Sequence, residues 1–120
     1  MKIRVYYEDV DIGGVVYHAK YLHYCERARS ELFFSRGKSP VWEGYHFVVS
    51  RIDARYHAPA RFGELLEVKS SVKKLTPVRV VMDQRVEREG ETLFEMEIEL
   101  VCIKENRPAK IPDYFLEVLR

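Results

Sequence analysis

The sequence has two cysteines, almost no net charge, and no apolar run near the roughly 18 residues of a membrane-spanning helix. Each scarcity excludes something. Cys25 and Cys102 sit in apolar stretches and read as buried free thiols of a reducing compartment, not as a disulfide framework. The N-terminal MKIRVYYEDVD carries basic residues but no apolar core, so it does not read as a signal peptide, and a cytoplasmic location is expected. Twenty Lys and Arg side chains against 19 Asp and Glu leave a charge of +1, which gives no bulk attraction to nucleic acid or membrane.

Motifs are absent too. There is no P-loop, no GxGxxG and no RNP aromatic pattern, which argues against a nucleotide fold and an RNA-recognition sheet. HExxH and Cys-His clusters are missing. His18 and His23 lie five apart, a poor spacing for shared ligation on one helical face, so no metal is expected. Repeats, low-complexity segments and linkers are lacking, and residues 1–120 read as one domain.

What is present is 47% hydrophobic and 32% charged, the balance of a chain that buries a core. Residues 2–8 alternate, with Ile3, Val5 and Tyr7 on the buried side of a strand. From about His18 to Arg36, Tyr21, Cys25, Ala28 and Leu32 recur at helical spacing, and Gly37 followed by Ser39-Pro40 stops the helix. Strands follow over 45–56, 65–74 and 78–87, with Thr76-Pro77 and Glu89-Gly90 as turns. The clearest alternation is Phe94, Met96, Ile98, Leu100 and Cys102 inward against Glu95, Glu97 and Glu99 outward. A loop over 106–112 and a short helix in PDYFLEVLR close the chain. This order reads as α+β, with a long helix packed on one face of an antiparallel sheet. A curved five-stranded sheet wrapped around a central helix, the hotdog arrangement, has this order, but connectivity alone does not distinguish it from other α+β sandwiches.

The stretch YYEDVDIGGVVYHAKY, residues 6–21, concentrates the candidate chemistry. Glu8, Asp9 and Asp11 precede two glycines and a helix start, where free N–H groups and the helix dipole favour negative charge. A calcium loop fails, because Gly13 and Lys20 occupy positions that need oxygen ligands. A solvated acidic loop, a helix cap, and a carboxylate facing an oxyanion at the helix N–H groups all remain open. In the helix, Arg27 and Glu31 suit an i,i+4 surface pair, while Glu26 either packs against Arg29 or lines a pocket. Arg51, Arg55, Arg61, Lys73, Lys74 and Arg79 are candidate phosphate ligands or ordinary solvated cations.

The run from Tyr6 to Arg29 closely resembles the signature of hotdog-fold acyl-CoA thioesterases of the 4-hydroxybenzoyl-CoA thioesterase family, in the bacterial branch associated with the Tol-Pal system. The later YHAPARFGE (56–64) also matches, and Val10 departs from that signature's usual Thr. The resemblance implies hydrolysis of acyl-CoA, and of acyl carrier protein thioesters, with no cofactor, since coenzyme A belongs to the substrate. It implies Asp11 as general base or nucleophile and His18 at the amide that polarises the carbonyl. Tyr7 is the third residue, and Arg55 and Arg61 would meet the coenzyme A phosphates. It also implies a homodimer or homotetramer with sites between subunits. Phe47, Val49, Trp42 and Leu32 are expected to set acyl pocket depth. A hotdog 3-hydroxyacyl-thioester dehydratase using His18 and Glu26, and a non-catalytic module binding acyl-carrier or envelope proteins, are the alternatives.

Overall fold

The computed structural model describes residues 1–120. The chain runs β1 (Lys2–Arg4), α1 (Lys20–Phe34), β2 (His46–Tyr56), β3 (Leu65–Leu75), β4 (Arg79–Arg88), β5 (Glu91–Lys104), β6 (Arg107–Pro108) and α2 (Asp113–Leu119). All pairings are antiparallel, in the order β1-β3-β4-β5-β2, with β6 on β5. This is the expected α+β hotdog, with one correction. The sheet has six strands, because Glu105 and Asn106 adopt positive φ (51° and 63°) and fold part of the expected loop back as β6.

The inner face forms as the alternation predicts. Phe94, Met96, Ile98, Leu100 and Cys102 of β5 and Val80, Met82, Gln84 and Val86 of β4 are all buried. Apolar side chains of this size each contribute about 1.5–3 kcal/mol when fully buried. α1 packs over β3 and β4 with Tyr21, Tyr24, Cys25, Ala28 and Phe33. Its C-terminus closes at Gly37, φ 71°, where Lys38 N donates to the Phe33 carbonyl at 2.9 Å. No helix is long and apolar enough to cross a membrane.

Two expectations fail locally. β1 ends at Arg4, and Tyr7–Asp9 form a 3-10 turn, so Tyr7 is 83% exposed and does not join the core face. The cause is Asp9, whose Oδ2 accepts from Tyr6 N at 2.9 Å while its own N donates to the Tyr6 carbonyl at 3.0 Å. In α1, Arg27 and Glu31 form no ion pair. Both are exposed, and water competes for such charges.

Candidate active site

Residues 9–17 fold into a small hairpin between the first turn and α1. Tyr17 N donates to the Asp9 carbonyl at 3.0 Å, Val10 bridges Val16, and Asp11 N donates to the Val15 carbonyl at 2.9 Å. The hairpin docks on the segment after β2. Val16 N donates to the Ala60 carbonyl at 2.9 Å, Val15 bridges Arg61, and Phe62 N donates to the Gly14 carbonyl at 3.3 Å. Ala60 is fixed in turn by the buried Tyr21, whose hydroxyl accepts its N–H at 2.9 Å. The matching YHAPA segment is therefore the cradle of the acidic loop.

The acids in this loop separate. Asp9 is buried and meets Lys20 Nζ at 3.4 Å, so the first lysine after the acidic run neutralises it. The adjacent Tyr24 hydroxyl is buried without a hydrogen-bond partner, and burial together with the Asp9 charge pushes its phenol well above the ordinary value. Asp11 is exposed at the hairpin tip, with Oδ1 accepting from Gly13 N at 2.8 Å. A Cβ on Gly13 would come within 3.3 Å of that oxygen, and Gly14 holds φ 79°. These glycines thus make room for the carboxylate and the turn. Around the tip stand exposed apolar groups: Ile12, Phe62, and Tyr7, whose ring meets Phe62 edge-on at 5.4 Å.

His18 lies at the other end of the hairpin. Its ring packs on Tyr17 at 4.3 Å, and its carbonyl accepts the Tyr56 hydroxyl at 2.7 Å. α1 has no side-chain N-cap. Lys20 N turns back to the Tyr17 carbonyl and Leu22 N to that of Ala19, while the amides of His18 and Ala19 donate to nothing in the chain. These are uncommitted donors at a helix start, the arrangement that receives an oxyanion. Within one chain, however, Asp11 and His18 are not brought together. Asp11 pairs with Val15, and His18 lies three residues further along that arm, an offset of about 10 Å at strand rise.

Of the basic candidates, Arg61 is exposed beside the loop, whereas Arg55 faces Glu95 on the sheet surface away from α1. Lys73 and Arg79 are taken by Glu97 (3.1 Å) and Glu99 (2.7 Å). Phe47, Val49 and Leu32 line one cavity, with Glu26 and Arg29; Trp42 instead stacks on Tyr114 at 4.6 Å. The alternation puts Gln84 in the otherwise apolar inner row of β4, but sequence reading missed its bond to Arg29, which crosses 55 residues.

The Thioesterase superfamily profile matches residues 13–104. The acyl-CoA thioesterase YbgC of Helicobacter pylori is 50% identical over 86 residues, which cover 72% of this chain and 65% of that protein, just under two thirds of its length. The acyl-CoA thioester hydrolase YbgC of Escherichia coli is 40% identical over 106 residues, covering 84% of this chain and 78% of that protein. Among solved structures, a probable thioesterase from Bartonella henselae superposes with a TM-score of 0.89 at 32% identity, covering 93% of this chain and 97% of that one.

Proposed function

Since the chain belongs to the Thioesterase superfamily, we propose that it hydrolyses acyl-coenzyme A thioesters to the free acid and the thiol, and acts on acyl carrier protein thioesters as well. The observation that carries this reading is the pairing of chemistry in the 9–19 segment. A carboxylate is held outward on a glycine turn, and a helix start offers two uncommitted amides. The amides of His18 and Ala19 would bind the carbonyl oxygen as it gains charge. Asp11 would either take the proton of attacking water or attack the carbonyl itself to form an anhydride that water opens. In both routes one water is consumed and the thiolate leaves as thiol. Tyr7, exposed at the same tip, would hold water or substrate through its hydroxyl, and the His18 ring would orient it. Arg61 is the cation best placed for the coenzyme A phosphates.

The sheet edge argues for a dimer, with the site between subunits. β2 is an edge strand of 11 residues, and on its inner side Val49, Ile52 and Tyr56 are 40–50% exposed in the single chain. A long apolar edge of this kind calls for a partner strand. Antiparallel pairing of two β2 strands would cover these side chains and set the helix start of one chain beside the His46 end of the other's β2. A homotetramer would pair two such dimers.

The test is thiol release from a panel of short, long and aromatic acyl-CoAs. Release from at least one is expected. Formation of an enoyl product without thiol would reassign the chain to dehydration by His18 and Glu26, and tight binding without turnover would make it a binding module.

A further inference from the structure

A cavity of about 400 Å³ opens between the C-terminal half of α1 and the inner faces of β2, β4 and β5. Its walls are mainly apolar, including Leu32, Phe33, Phe47, Val49 and Met82. Arg29 lines the same space. Its Nη1 donates to Gln84 Oε1 at 2.9 Å. Gln84 is 1% exposed, and its Nε2 donates to the Cys25 carbonyl and to Ser70 Oγ, each at 2.9 Å. Those two bonds fix the amide with its oxygen toward Arg29.

A guanidinium has five N–H donors, and this one engages a single neutral acceptor. No carboxylate reaches it within ion-pair distance; Glu26, on the same cavity, is exposed and stands off. Burial lowers the Arg29 pKa from its ordinary value, against the opposing influence of Cys25 and Glu26. A half-buried cation with spare donors in an oily pocket lacks an anion, and supplying one recovers energy lost to desolvation.

In the β2-paired dimer proposed above, the cavity also lies where an acyl group would arrive. Antiparallel pairing about the middle of β2 sets the partner's β2 end, which holds its helix start, beside the His46–Phe47 end of this chain. That end borders the cavity.

We propose that Arg29 is the residue that determines acyl specificity, binding the far end of the acyl group, and that the substrate class is ω-carboxyacyl thioesters, the monothioesters of dicarboxylic acids. This rests on the thioester-hydrolase reading above. The apolar walls hold the methylenes, and the guanidinium meets the terminal carboxylate.

The test compares adipoyl-CoA with hexanoyl-CoA, equal in length and differing in the terminal carboxylate, by kcat/KM for thiol release. The wild type should favour adipoyl-CoA. Arg29→Met should lower its kcat/KM about 10- to 100-fold, the range of a charge-assisted hydrogen bond, and spare hexanoyl-CoA. Arg29→Lys should fall between. An equal loss for both substrates would leave Arg29 as support for Gln84 alone and overturn the proposal, as would a wild-type preference for hexanoyl-CoA. Calorimetric binding of both thioesters to Asp11→Asn protein separates this failure from that of the hydrolase reading. Tighter binding of adipoyl-CoA that depends on Arg29, without wild-type turnover, would sink hydrolysis and keep the site. Equal binding of the two would sink the site.

Discussion

Asp9 and Asp11 stand two residues apart in opposite circumstances. Asp9 is buried, bonded to Tyr6 N and paired with Lys20, so its removal leaves a partly buried N–H and the lysine without their partner. Asp9→Ala should cost about 1–3 kcal/mol in chemical denaturation. Cys25 is the other residue with a sharp physical signature, since burial pushes its thiol up to about 12 from 9.0. It should resist thiol reagents in the native protein at pH 8 and label on unfolding. Below pH 9 both states keep this proton. Above it the unfolded chain releases it first, so the Cys25 contribution to stability should decline as pH rises from 9 toward 12, checked by denaturation at stepped pH. The thiol's burial was legible from its apolar setting. Tyr7's exposure was not, because a bond from the Asp9 carboxylate to backbone breaks the alternation, and no pattern of side-chain polarity encodes it.

Among the elements, β4, β5 and α1 were the most legible, because one face of each meets the core along its length. The Arg29–Gln84–Ser70 chain was hidden, since it links α1, β4 and β3 through contacts remote in sequence. The start of α1 is unusual in the opposite sense. Ala19 occupies the N-cap and supplies no side-chain acceptor. Ala19→Asp should cap the helix and raise stability by about 0.5–2 kcal/mol. The same carboxylate would repel an oxyanion at the neighbouring amides, so thiol release should fall while the unfolding midpoint rises. Activity that rises along with stability would place the carbonyl elsewhere.

At the scale of the molecule, the chain ends its sheet on one side with a three-residue strand and on the other with the long, apolar-faced β2. The longer edge is where the proposed second copy would pair. Ile52→Glu puts a charge on its inner face and should give a folded monomer, seen by sedimentation, with thiol release lost alongside. This incompleteness was not legible as such, because β2's side chains read as an ordinary strand until the sheet order placed it at an edge. The signature in residues 6–29 pointed to the same hairpin and helix start that the fold assembles, while their mutual distance appears only in three dimensions.

The most direct measurement is thiol release by Asp11→Asn, with its unfolding curve taken in parallel. Asp11 is exposed, and its side chain bonds only Gly13 N, so stability should change by less than about 0.5 kcal/mol. Turnover should fall about 10²- to 10⁴-fold, the range of a positioned acid–base group. Undiminished turnover in a fully folded variant would contradict the account.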